Sequence, residues 1–185
     1  MNADRNRTGT ASERDEFRPS PFAFRPSSRR RRARESVVEA LYQLDLMLDP
    51  PEQVERDIIR RKNPSREVEK FFRRLFERTV AERTQIDVVL AQVLKKWKLY
   101  RLSYVDRAVL RMACCELLFF DEIPTIVAIN EAIELAKDYA GQESAWFVNG
   151  VLDAIARRFP KTEKQPRMDA NERESGEEGT ASERK

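Results

Sequence analysis

Between residues 29 and 160 the apolar positions recur every three or four residues, and no segment shows the strict alternation of a half-buried strand. The pattern predicts an all-α protein of about seven helices. Ser27 or Ser28 is placed to cap a first helix that carries Val37, Leu41, Leu44 and Leu48 on one stripe. Asp49-Pro50-Pro51 stops it and starts a short second helix to about Arg61. After Asn63-Pro64-Ser65 a third helix bears Phe71, Phe72, Leu75, Phe76 and Val80. Thr84 with Asp87 forms a capping-box pattern for a fourth, which carries Ile86, Val89, Leu90, Val93, Leu94 and Trp97.

Ser103 with Asp106 repeats that pattern ahead of Val105–Phe120, whose apolar residues nearly surround the axis, as expected of a central buried helix. Glu116 falls among them and needs a partner if buried, with Arg107, Arg111 or a backbone donor as candidates. A sixth helix spans Thr125–Ala140, apolar at Ile126, Ile129, Ala132, Ile133, Leu135 and Tyr139, and Gly141 suits its left-handed end. Its polar third, from Asn130 to Asp138, reads as a solvated face. Ser144 is placed to cap a seventh helix to about Arg158, with a stripe from Phe147 to Phe159.

Outside these helices the composition changes. Residues 1–28 read as a disordered basic tail, 29–160 as one helical domain, and 161–185 as a second disordered tail too polar to order itself. The hexapeptide GTASER occurs in both tails, at Gly9–Arg14 and Gly179–Arg184, without a physical reason for it.

Charge sharpens the picture. The net charge of +3 hides an asymmetry, because residues 1–34 hold ten Arg against four acids while the rest is slightly acidic. Arg29–Arg34, read RRRRAR, opens the first helix, where the peptide dipoles already place partial positive charge and each added cation is disfavoured by about 0.3–1 kcal/mol. Such a cluster suits an anion, nucleic acid first, although solvated arginines in a good helix former are the plainer alternative. Trp146 lies opposite the apolar stripe of the last helix, which makes it a candidate stacking surface or a ring packed under a loop or tail.

With no His in 185 residues, His-based acid–base catalysis and His-ligated metal sites are excluded. The two adjacent cysteines, Cys114 and Cys115, lie in the central helix and read as small core residues, not metal ligands. No nucleophile–base pair or phosphate loop is visible, so no catalytic residue, metal or cofactor is expected. No apolar run is long enough for a membrane span and no secretory signal is recognisable, so a cytoplasmic protein without a membrane partner is expected.

Four blocks together, RRRARESVVEALYQLD from Arg30, VDRAVLRMACCEL from Val105, VAINEAIELAK from Val127 and FVNGVLD from Phe147, resemble the NusB family of transcription antitermination factors. The resemblance covers about residues 29–159. It implies two small packed helical bundles and a function without catalysis. It further implies binding of single-stranded boxA RNA jointly with NusE, a small-subunit ribosomal protein, within the RNA polymerase antitermination complex that supports ribosomal RNA synthesis.

By the same resemblance Arg30, Arg31, Arg32 and Arg34 match an arginine-rich RNA-binding segment, and Tyr42 matches an aromatic near the RNA. Phe147 and the Gly141–Ser144 turn, including Ser144, match a second RNA-facing region, and the two helix starts would flank one groove. Phe147 is as well explained by its place at the edge of the core stripe. Trp146 stands where the family often has a basic residue and Glu143 where Asp is common, and the paired cysteines stand where relatives often have an aromatic. NusE is expected near the fourth and fifth helices. A homodimer is left open, since some relatives self-associate. The rival of a different class is a non-catalytic helical adaptor whose arginines grip an acidic protein. A ribosomal RNA methyltransferase that carries such a domain is excluded, because five Gly and no strands leave no cofactor-binding fold.

Overall fold

A computed structural model of the chain describes residues 28–47, 49–94 and 98–161. The two expected tails, with their GTASER repeats, and Ser27, Leu48 and Trp97 lie outside the described residues, apart from Ser28 and Lys161 at the inner ends of the tails. The described chain is helical, with seven α-helices, one 3₁₀ turn and no strand among these residues. It divides into two compact units at Val80 and Ala81.

The first unit contains α1 (Arg29–Met47), α2 (Pro51–Lys62) and α3 (Arg66–Ala81). Ser28 starts α1 as its pattern requires, its Oγ accepting from the Arg31 amide at 3.1 Å. Pro51 begins α2 with its fixed φ and missing N–H, and Asn63, left-handed at φ 41°, ends it. Ala33, Val37, Ala40, Val54, Ile58, Phe72, Leu75 and Phe76 are almost fully buried. The rings of Phe72 and Phe76 stack at 5.6 Å. Polar ties join the helices as well: Arg29 pairs with Glu67, and Arg73 bridges Glu69 on its own helix and Glu55 on α2.

The second unit contains α4 (Arg83–Val93), a 3₁₀ turn at Leu99–Arg101, α5 (Tyr104–Phe119), α6 (Thr125–Ala140) and α7 (Gln142–Arg158). Helix α5 is the hub, packing against α4, α6 and α7, and every residue from Ala108 to Leu117 is buried. Its start follows the expected capping pattern: Ser103 Oγ accepts from the Asp106 amide at 3.0 Å and donates to the Asp106 carboxylate at 2.8 Å. Cys114 and Cys115 are fully buried free thiols. Burial pushes the Cys114 thiol up to about 12, so it stays protonated and packs as a small apolar group.

Three expectations are corrected. Thr84 does not cap α4: the helix starts at Arg83, one residue after a turn at Glu82, and Asp87 is drawn instead to Arg111. That pair is bidentate, at 2.8 Å from Nε and 2.9 Å from Nη2, which matches the planar guanidinium fork and secures a buried cation. The Arg107 guanidinium lies over the Tyr104 ring. Near buried Glu116, Lys161 Nζ donates to the carbonyls of Phe120 and Ile123 at 2.8 Å each. Second, Ser144 does not cap α7, which begins at Gln142 directly after Gly141. Gly141 has φ 90° and ψ −178°, a backbone state that a side chain resists. Third, Ile126 and Tyr139, expected on the inner side of α6, are more than half exposed, because burial on that helix centres on Ala128, Ala132, Leu135 and Ala136 and both lie near its ends.

Candidate nucleic-acid interface

The first turn of α1 carries Arg29, Arg30, Arg31 and Arg32 and no acid. Such a turn adds side-chain cations to the partial positive charge of the helix start, and the fold makes this bearable by giving most of them individual neighbours. Arg29 reaches Glu67 on α3. Arg31 meets Glu35 one turn along its own helix, Nε to Oε1 at 3.3 Å, and is largely covered. Arg30 is exposed, with its guanidinium carbon 5.4 Å from the centre of the Phe71 ring. Arg32 is exposed.

Arg34 departs from the expectation of a surface contact. It is only 2% exposed, among the largest fully buried side chains, and its guanidinium carbon lies 5.7 Å from the centre of the same Phe71 ring. Arg74 approaches that ring at 5.7 Å too. Phe71, read from sequence as a core residue, is half-buried and gathers three guanidinium groups within cation–π range. Arg30 and Arg34 lie one turn apart on α1, and that i, i+4 spacing is the only sequence signal that pointed to a shared partner. Tyr42, further along α1, is 38% exposed.

In the second unit the start of α7 forms one side of an open cleft of about 410 Å³, lined by Arg101, Ser103, Asp106, Glu143, Ser144 and Phe147 among others. Ser144 is buried, and its hydroxyl donates to the Asp106 carboxylate, the same group that receives Ser103. Its hydroxyl is thus committed to holding the start of α7 against the start of α5. Phe147 is half-buried on the cleft wall, between its core and surface readings. Trp146 is 67% exposed, so its ring lies on the surface of α7. Arg30, Arg31, Arg32, Arg34 and Tyr42 thus belong to the first unit, and Ser144, Trp146 and Phe147 to the second.

Among the described residues no cluster of three or more acidic, Cys or His side chains is placed to hold a metal ion. No helix among them is long and apolar enough to cross a membrane. The described fold is that of a small all-helical protein with a charged and aromatic surface. The NusB family model matches residues 31–157. The transcription antitermination protein NusB of Bacillus mycoides is 44% identical over 129 residues, covering 69% of this chain and 96% of that protein.

Solved structures agree. T. maritima NusB superposes with a TM-score of 0.66 at 41% identity, covering 69% of this chain and 90% of that one. A crystal structure of antitermination factors NusB and NusE in complex with double-stranded RNA contains a chain with a TM-score of 0.67 at 28% identity, covering 71% of this chain and 98% of that chain. This chain belongs to the NusB family, which comprises non-catalytic factors.

Proposed function

We propose that this protein is a cytoplasmic transcription antitermination factor. In this reading it binds single-stranded boxA-type leader RNA together with NusE and joins the RNA polymerase complex that keeps ribosomal RNA transcription processive. The observation that carries the reading is the acid-free, four-arginine first turn of α1, on a chain that matches antitermination proteins over nearly their whole length. A solved neighbour that holds NusE and RNA supports both partners.

In this reading Arg30, Arg31 and Arg32 grip phosphates or stack on bases, with Tyr42 further along the same helix as an additional contact. Arg34 acts from beneath by fixing Phe71. In the second unit Trp146 and Phe147 offer rings for unstacked bases, while Ser144 shapes the cleft through Asp106. The exposed Trp146 replaces a point charge with a stacking surface, which suits single-stranded RNA.

The rival adaptor reading has one observation in its favour, since Arg29 and Arg31 already accept carboxylate partners within the chain. Fluorescence anisotropy separates the two. Labelled boxA-type RNA and a scrambled control are titrated at two salt concentrations, with and without NusE. Selective binding that weakens steeply with salt and tightens with NusE is the expected result. Equal or absent binding of both RNAs, with NusE still captured, assigns the arginines to an acidic protein partner. Sedimentation of the same samples reads whether the protein is a homodimer.

A further inference from the structure

The RNA contacts proposed in the first unit all lie on α1, yet the ring that organises them belongs to α3. The guanidinium carbons of Arg30 and Arg34 lie 5.4 and 5.7 Å from the centre of Phe71, and that of Arg74, three residues along the ring's own helix, lies at 5.7 Å. Arg34 is buried, whereas Arg30 and Arg74 are exposed. Two solvent-facing guanidinium groups from different helices are therefore held at one ring.

Folding alone gives a weak reason for this convergence. The ring has one quadrupole to share, and each further cation brought to it repels those already there. Glu35, Glu67 and Glu69 meet Arg31, Arg29 and Arg73, and the charge of Glu77 acts on Arg73 and Glu55. The first seven residues of α1 together with α3 carry ten basic side chains against four acidic ones, so the carboxylates of these two segments cannot match every cation. Arg74 also interacts elsewhere in the fold, but a guanidinium carries five N–H donors and one neighbour does not exhaust them.

A phosphodiester suits the exposed pair. It is a single anion with two non-bridging oxygens, one for each planar fork, and the shared ring limits how far either guanidinium can swing before the ligand arrives. We propose that Arg74 is a phosphate-contacting residue which, with Arg30, grips one backbone phosphate of the bound RNA, so that the RNA path crosses from α1 onto α3. This inference rests on the RNA-binding reading above and adds to it a contact on a second helix that holds the backbone and carries no base preference.

The test uses the full chain with a boxA-type RNA and a scrambled control of the same length. Arg74→Gln should weaken both by about three- to tenfold, leave their ratio unchanged, and lower the slope of log affinity against log salt by about 0.7, the value of one single-strand phosphate contact. Arg74→Lys keeps the charge, so it should restore the slope while losing part of the affinity to the missing fork. Methylphosphonates placed at single linkages then locate the phosphate. One linkage whose neutralisation weakens binding by the wild-type chain should cost nothing further in Arg74→Gln, and the same linkage should fall silent in Arg30→Gln. In the wild-type chain, RNA should shield Arg74 from phenylglyoxal as fully as it shields Arg30, a readout that needs no variant.

Arg74→Gln with wild-type affinity and salt slope would overturn the contact and leave the antitermination reading intact. A loss confined to the boxA-type RNA would overturn it too, since a backbone contact weakens both sequences, and different silent linkages in the two Gln variants would overturn the shared grip. Conversely, a wild-type chain that binds both RNAs equally, and is weakened on both by Arg74→Gln, would keep the phosphate contact and sink the boxA assignment. Binding of neither RNA would remove both.

Discussion

Arg34 sits 5.7 Å from the centre of the Phe71 ring while being almost wholly buried, so the fifth arginine of the cluster is part of the foundation of the basic surface. Its aliphatic stem packs and its guanidinium is stabilised by the ring, which makes it unlike its exposed neighbour Arg32. Arg34→Ala should cost about 2–4 kcal/mol of unfolding free energy, the range for large-to-small changes at buried positions. Arg32→Glu should leave stability unchanged or raise it by about 0.3–1 kcal/mol, because a negative charge suits a helix start. Denaturant melts of the two variants check this, and an Arg34→Ala protein as stable as wild type would refute the buried assignment.

Phe71 should matter to RNA binding without touching RNA. Arg30 is exposed, yet the ring limits where its guanidinium can go, so less freedom is lost on binding. Phe71→Leu keeps apolar volume and removes the ring quadrupole, so affinity for boxA-type RNA should fall by about two- to fivefold, equivalent to the roughly 0.5–1 kcal/mol of an exposed cation–π contact. Arg32→Glu, which reverses a charge at the surface itself, should weaken binding far more and flatten its salt dependence. Anisotropy titrations at several salt concentrations read both effects. If the Leu variant bound as tightly as wild type, the ring would have no organising role.

Periodicity made the helices legible because burial follows it, and six of the seven starts fall within two residues of the patterned caps and prolines. Capping chemistry was less legible than helix existence. Thr84-Asp87 and Ser103-Asp106 have the same spacing, yet only the second caps its helix, because α4 already starts at Arg83 and places Thr84 inside its first turn, while the Asp87 carboxylate pairs with Arg111 from 24 residues away. The same limit applies to the site. Five arginines in six positions announce a charge cluster, but which are surface and which foundation depends on Phe71, some forty residues further on and visible only after folding. Trp146 was legible because a wheel alone separates it from the core stripe, and its exposure agrees.

That exposure gives Trp146→Ala a clear signature. A ring 67% exposed contributes little to the core, so the melting midpoint should move by less than a degree or two, in keeping with the roughly ±0.5 kcal/mol usual for surface changes. If Trp146 stacks on a base, affinity for boxA-type RNA should fall by about fivefold or more. Indole fluorescence offers an independent readout in a Trp97→Phe background, where quenching on RNA addition reports on Trp146 alone. A large loss of stability would return the ring to a packing role.

Glu55 and Arg73 make the pH dependence of the first unit testable. The Glu55 carboxyl is raised above its ordinary value, chiefly by burial, against which the facing Arg73 guanidinium works in the opposite direction. Arg73 stays protonated, because Glu69 and Glu55 outweigh the burial that opposes its charge. A carboxyl with a raised folded-state pKa favours folding while protonated, fully so below its unfolded pKa, and loses that contribution as pH rises through the folded value. Glu55→Gln keeps an oxygen that can accept from Arg73 and removes the titration. Its stability relative to wild type should therefore rise as pH climbs from the ordinary glutamate range through the raised folded-state value, and then level off. Urea melts at intervals across that range measure the difference, and a variant that instead loses ground as pH rises would show that the ion pair outweighs the burial of the carboxylate.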